Sequence, residues 1–492
     1  MKRDQSRTPY LDALLRYRER GYTPFHTPGH KLGKGASAKL REALGAEVLA
    51  VDVAMAGGVE DTRESTALVH EAEQLAAEAW GAERAWFLVN GSTSGLHALI
   101  VALAGPGDVL VLPRNSHKAV MAGLIFSGAT PRYVEPPVDD DWHIPLTMCP
   151  QKVAHALRER PHARAVLTIS PNYYGIGADL PAIGGAAHAA GAAFLVDQAW
   201  GPHLRFCSHL PDDALAAGAD AAVVSVHKLL SGLTQSSLLL ARDGRLNLDR
   251  LASVVRMTQS TSPQVLMLVS IDAARQQMAT QGELLWHHAI ELAEWTRERI
   301  RVIRGLRVLG REILEKEGAS SLDPTRVTVS AADIGLSGYR LETVLRDDYR
   351  IAVEMADPLN VVCNVTYGDS RDDVKRLVGA LADLAARYGE RPADTDAMRQ
   401  AKALRLPAFT RQMLSPREAF FARSVALPVG DCAGQVSAEL VTPYPPGIPV
   451  LAPGEEISEE TREYLTLGAH MGLHVHGPED PTLRTLRVVA GG

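Results

Sequence analysis

The sequence predicts an α/β protein: a large domain around a mainly parallel, doubly wound sheet, a small α+β domain and a C-terminal segment. Three observations predict it. Short apolar runs alternate with helical patterns from about residue 66 to about residue 245. Several of those runs are apolar throughout rather than alternating, as expected of strands covered by helices on both faces. A long helical pattern then separates this region from a shorter one of mixed strands and helices.

The elements are taken in chain order. Thr66–Trp80 reads as an amphipathic helix, Ala85–Val89 as a strand, Asn90–Gly95 as a turn and Leu96–Ala104 as a helix. Strand Val109–Leu112, helix His117–Phe126, strand Arg132–Val134, helix Gln151–Arg158 and strand Ala165–Ile169 come next. Helix Pro181–Ala190 leads to strand Ala193–Val196, and Ala221–Val224 and Ser237–Leu240 complete the set. The long helix is expected over Pro263–Arg304, with Pro263 in its first turn, where a missing N–H is harmless. Thr325–Val329, Ile351–Met355 and Val361–Thr366 read as strands of the small domain, with Tyr339–Asp347 and Arg371–Tyr388 as its helices. Residues 391–396 read as a linker. The expected division is 1–305 for an N-terminal arm and large domain, 306–390 for the small domain and 391–492 for a C-terminal domain.

At 492 residues, 46% hydrophobic and 22% charged, the composition is that of a water-soluble globular chain. A net charge of −7 with no basic stripe argues against a nucleic-acid surface. No apolar core follows Met1–Ser6, so no secretory leader is expected. No run approaches the roughly 20 apolar residues of a membrane helix. Cys149, Cys207, Cys363 and Cys432 are scattered, which fits reduced thiols in a cytoplasmic protein.

The chemistry concentrates at strand ends. Lys228 lies just past the apolar run Ala221–Val224, in Ser225-Val226-His227-Lys228. Asp197 closes the run Ala193–Val196. A lysine that forms a Schiff base and an aspartate that keeps a pyridine nitrogen protonated are what pyridoxal phosphate chemistry requires. By itself a lysine after a strand is more often a solvated surface residue. Its neighbours change that. Gly91, Ser92 and Thr93 sit in Asn90-Gly91-Ser92-Thr93-Ser94-Gly95 between a strand and a helix, where unpaired N–H groups and hydroxyls bind phosphate. A plain helix cap is the blander alternative for that turn. The run matches neither a dinucleotide nor an ATP loop. Ser225 and His227 add donors beside Lys228. His117 is equally readable as a ring that stacks on a flat cofactor or as a helix cap. Trp200 follows Asp197 closely and would wall a pocket or pack a boundary.

These segments together resemble the fold type I pyridoxal-phosphate decarboxylases of ornithine, lysine and arginine, whose large domain is aspartate aminotransferase-like. The resemblance runs through Thr27-Pro28-Gly29-His30-Lys31, Asn90–Thr93, Pro113–Lys118, Asp197–Trp200, Ser225–Lys228 and the proline-rich run from Pro443 to Pro449 that leads to Pro453-Gly454-Glu455. The length is similar to the compact form of that family, without the extra N-terminal domain of larger members. The resemblance implies pyridoxal 5′-phosphate as cofactor, Lys228 as its Schiff-base lysine, Asp197 on the ring nitrogen and His117 stacked on the ring. It also implies Ser92, Thr93, Ser225 and His227 on the phosphate, and a homodimer or higher assembly with active sites at the interface. Two segments depart from the pattern. Gln198-Ala199-Trp200 stands where many compact members have Glu-Ala-His, and Gly57–Arg63 matches the acidic stretch only loosely.

The expected reaction is α-decarboxylation of a basic amino acid, arginine first, with lysine and ornithine next. Lys228 or His227 would return the proton to Cα. Glu439 is a candidate partner for the substrate's cationic end, a surface carboxylate being the alternative. A transaminase or oxidative deaminase would use the same lysine and aspartate, and a non-catalytic paralogue would keep only the fold. His470, His474 and His476 are spaced for metal ligation, but no further ligand pairs with them, and no metal is expected.

Overall fold

In the computed structural model the described residues are 3–54, 67–389, 399, 406–443, 447–470 and 474–491. The acidic stretch Gly57–Arg63, the expected linker 391–396 and Tyr444–Pro446 of the proline-rich run lie outside them. Residues 1–102 with 195–284 form one compact unit; 103–194 with 285–492 form another.

Seven strands carry the α/β architecture: β1 (Arg84–Leu88), β2 (Val109–Pro113), β3 (Thr130–Val134), β4 (Ala165–Ile169), β5 (Ala193–Asp197), β6 (Ala221–Val224) and β7 (Ser237–Ala241). Each coincides with a strand read from the sequence, with ends moved by no more than two residues. The pairing is mainly parallel. In the first unit the end of β5 runs parallel to β6, with Asp197 opposite Val223. In the second, β2 is parallel to β3 and to β4. The exception is β7, antiparallel to both β6 and β1. Strands β5, β6 and β7 are buried at every position, which is why they lack the alternation of a half-exposed strand.

Four helices frame the strand ends and their loops: α1 (Gly91–Leu103), α2 (Lys118–Ser127), α3 (Val226–Leu229) and α4 (Val265–Arg301). The helix expected from Leu96 therefore begins five residues earlier, at Gly91. Gly91 has a positive φ of 73°, which lets the chain turn from β1 straight into the helix. Pro263 precedes α4 rather than opening it. Helix Leu248–Thr258, absent from the sequence reading, is capped by Asn247, whose side chain accepts from Arg250 N–H.

The second unit also holds an antiparallel sheet of Arg307–Val308, Arg326–Ser330, Asn360–Asn364 and Met355–Ala356, in that order. Helices Gly338–Tyr349 and Arg371–Tyr388 pack on it, the latter opened by a capping box of Ser370 and Asp373. The strand expected at Ile351–Met355 is reduced to Met355–Ala356. Arg350 leaves the preceding helix at φ 57°, and the chain first meets its partner where Glu354 N–H donates to the Val362 carbonyl. Near the C-terminus, Ser424–Pro428 pairs with Thr485–Val489 over a core of Val441, Leu451, Ile457, Leu465 and Leu486.

Candidate active site

Most of the sequence-predicted site residues come together in the first unit, at the C-terminal ends of β5 and β6. In open α/β sheets this is where ligands bind. Asp197 is the last residue of β5 and is buried. Its Oδ1 accepts the Ala199 N–H at 3.1 Å. Burial raises the Asp197 pKa, and the Lys228 cation and the Ala199 N–H work against that rise. Lys228 lies in α3, three residues beyond Ser225, and its Nζ stands 3.9 Å from the centre of the Trp200 ring. That contact places the cation on the indole's electron-rich face.

Ser92 and Ser225 join the two remaining pieces. Their Oγ atoms are 2.7 Å apart and buried, so the first turn of α1 meets the start of α3. Because the helix begins at Gly91, the N–H groups of its first turn lack helical partners and present a partial positive charge beside those hydroxyls. Thr93, in the same turn, is exposed. Ser94 Oγ turns back to the Gly91 carbonyl at 2.9 Å.

His227 Nδ1 is 2.8 Å from the Ser236 carbonyl, which only accepts, so Nδ1 carries the proton and Nε2 is an acceptor in the neutral ring. Burial lowers the His227 pKa; the Ser236 carbonyl opposes this and the Lys228 cation reinforces it. Ser236 was not among the sequence candidates, and nothing local marks it. Gln198 was missed too: its Nε2 donates to the Gly201 carbonyl and its Oε1 accepts the Ala214 N–H, both at 2.7 Å, which fixes the turn bearing Trp200.

Two candidates belong to the second unit. His117 is the N-cap of α2, its Nδ1 accepting the Ala119 N–H at 3.2 Å, as the capping alternative anticipates. Glu439 is buried and already engaged: Oε1 accepts the Arg487 N–H and Oε2 the Glu479 N–H, each at 2.9 Å. These two backbone bonds tie the carboxylate to the C-terminal segment. His470 Nδ1 bonds the Thr466 carbonyl at 2.7 Å, and the His474 and His476 rings meet edge to face.

A family model described as Orn/Lys/Arg decarboxylase, major domain, matches residues 8–373, and its C-terminal domain matches residues 398–478. The chain belongs to the ornithine/lysine/arginine decarboxylase family. An arginine decarboxylase of Bacillus subtilis (strain 168) is 39% identical over 485 residues, spanning 99% of this chain and 98% of that one. Among solved structures, the lysine decarboxylase LdcF of Francisella novicida superposes with a TM-score of 0.83 at 21% identity, over 98% of this chain and 80% of that one. Ureidoglycine-glyoxylate aminotransferase from Bacillus subtilis does so with a TM-score of 0.54 at 15% identity, over 72% of this chain and 91% of that one. The fold is therefore fold type I. As a member of the family the protein is a pyridoxal-phosphate-dependent decarboxylase of a basic amino acid. The donor set fits that cofactor. A buried carboxylate with a single backbone N–H suits a protonated ring nitrogen, and paired hydroxyls at a helix start suit a phosphate.

Proposed function

We propose that the protein decarboxylates arginine to agmatine, with the work at the site divided among its residues. Lys228 would hold the cofactor covalently through Nζ, and its Nζ is the group that carries a proton to the substrate's Cα. Asp197 holds the proton on the ring nitrogen. Gly91, Ser92, Thr93 and Ser225 bind the phosphate through backbone N–H and hydroxyl groups. His227 supports that end of the site from its anchor on Ser236. Trp200 shields Lys228 from water. When bound, pyridoxal phosphate supplies an electron sink for the pair released as CO₂ leaves.

The observation that carries this reading is the buried Asp197 carboxylate at one strand end, with the Lys228 cation acting on it from the next. The preference for arginine rests on the relatives at 38–39% identity, each named an arginine decarboxylase. The division at residues 305 and 390 and a homo-oligomeric state belong to the same proposal. In the first unit Phe25 is 92% exposed, and Tyr22, Leu40, Leu44 and Val48 are further exposed apolar side chains that a second copy could cover. The four cysteines are buried free thiols, in keeping with the reducing cytoplasm.

The test is to incubate purified, cofactor-loaded protein with arginine, lysine and ornithine, and to measure CO₂ together with agmatine, cadaverine and putrescine. Agmatine from arginine at the highest kcat/KM is the expected result. A 2-oxo acid without CO₂ would make the protein a transaminase or oxidase; cadaverine or putrescine as main product would move the substrate assignment. Lys228→Ala should abolish the visible absorbance of the covalently held cofactor.

A further inference from the structure

The loop after Trp200 carries a second cluster of reactive side chains, on the first unit and outside the cofactor site. Phe206-Cys207-Ser208-His209 forms a turn. The Phe206 N–H donates to the His203 carbonyl at 2.9 Å and the Leu210 N–H to the Cys207 carbonyl at 3.2 Å. Trp80 clamps the turn through an edge-to-face contact with Phe206 at 4.8 Å. Helix α4 comes unusually close here because its residue 282 is glycine. A Cβ at that position would lie 2.7 Å from Phe206 Cβ and 3.2 Å from its carbonyl oxygen. The next residue is Glu283. Its Oε2 accepts the Ser208 N–H at 3.0 Å and its Oε1 accepts the Ser208 hydroxyl at 2.7 Å, so the carboxylate is oriented. Cys207 Sγ lies 3.9 Å and His209 Nδ1 3.8 Å from that same Oε1, and all three donor atoms fall within 4.8 Å of one another.

We propose that Cys207, His209 and Glu283 form a binding site for a thiophilic divalent cation of the zinc type, with water in the fourth position. Donors around tetrahedral zinc sit roughly 2.0–2.3 Å from the metal, and so roughly 3.3–3.7 Å from each other. Two of the three separations are already close to that span. The His209 and Glu283 side chains are each 60% exposed, so a cation enters from solvent, while buried Cys207 closes the inner side. Binding releases the thiol proton to solvent and forms the metal–sulfur bond. Ser208 orients Glu283 in the way that outer hydrogen bonds orient metal-bound carboxylates. Occupancy would pin the loop bearing Trp200 to α4.

The experiment is a zinc titration of the cofactor-loaded protein, freed of metal by dialysis, in competition with a chromophoric chelator. One equivalent per chain is expected, with zinc-edge X-ray absorption showing one sulfur ligand. Cys207→Ser should lose that equivalent. Glu283→Gln and His209→Asn, both at exposed side chains, should weaken it at least ~10-fold, about 1.4 kcal/mol, and they keep the test valid if Cys207→Ser does not fold. No zinc bound by the unmodified protein, or an equivalent retained unchanged in these variants, would overturn the site. Decarboxylation measured on the same samples reports separately on the reading of the cofactor site.

Discussion

Arg114 in the second unit and Asp197 in the first are both buried charged side chains, and their surroundings differ. Arg114 is fully buried, and its guanidinium is bonded on every side. Nε and Nη2 each meet one oxygen of Glu455 at 2.7 Å, and Nη1 donates to the Pro449 carbonyl at 2.6 Å. Its plane lies over the rings of Phe409 and Tyr133. Burial would lower the Arg114 pKa, but the pairing with Glu455 outweighs it and the net shift is upward. Asp197 is buried almost as deeply, yet among the described residues its carboxylate receives one hydrogen bond, and its pKa is raised. A charge that holds the fold together is satisfied by the fold. A buried charge left with one hydrogen bond costs stability, and on the proposed role of Asp197 a bound cofactor would offset that cost.

This contrast can be broken by mutation. The largest effect is expected at the structural pair. Arg114→Met leaves Glu455 buried and unpaired, and should cost about 3–5 kcal/mol in denaturant unfolding. Adding Glu455→Leu should restore most of the loss, and an Arg114→Met variant as stable as the parent would end the comparison. Next in size is Asp197→Asn, which should lower kcat by roughly 10²–10³-fold. Its cofactor-free form should melt no lower than the parent's, because a buried charge has been removed. A clear fall in Tm would show that Asp197 serves the fold instead.

A smaller effect is expected at Glu73, whose Oε1 accepts the Phe87 N–H at 2.9 Å along the β1 edge. Burial pushes its carboxyl up to about 8. Between its ordinary value and that one, the folded state keeps the proton that the unfolded state has lost, so stability falls as pH rises through this window. Glu73→Gln keeps the acceptor and removes the titration. It should be more stable than the parent at pH 9 and no more stable at pH 4, read from unfolding across pH. An unchanged pH profile would show that Glu73 does not carry the effect. The smallest is Ser225→Ala, which removes one hydroxyl from the Ser92 pair. The Kd for pyridoxal phosphate should rise about 5–10-fold, about 1 kcal/mol, with the melting curve of the cofactor-free protein little changed.

Sequence alone determined the strands and placed the candidate anchor among them. Buried parallel strands are continuous apolar runs, and Asp197 and Lys228 stand at the ends of two of them, so position along the chain already told their direction and their end of the sheet. The start of α1 is ambiguous in the sequence because Gly91, Ser92 and Thr93 read as turn formers, although helix starts use the same residues. Helix Leu248–Thr258 is legible in principle, from Asn247 and the spacing of Leu251, Val254 and Val255. Tertiary structure alone decided the rest. Glu439 meets backbone N–H donors 40 and 48 residues away, and Arg114 meets Glu455 across 341 residues. Cys207 met Glu283 because a glycine let a helix approach. Hydrogen bonds between positions so far apart repeat with no period along the chain. They exist only once the strands and helices have been packed, which is why the strands and the proposed anchor Lys228 are legible in the sequence and the partners of the buried charges are not.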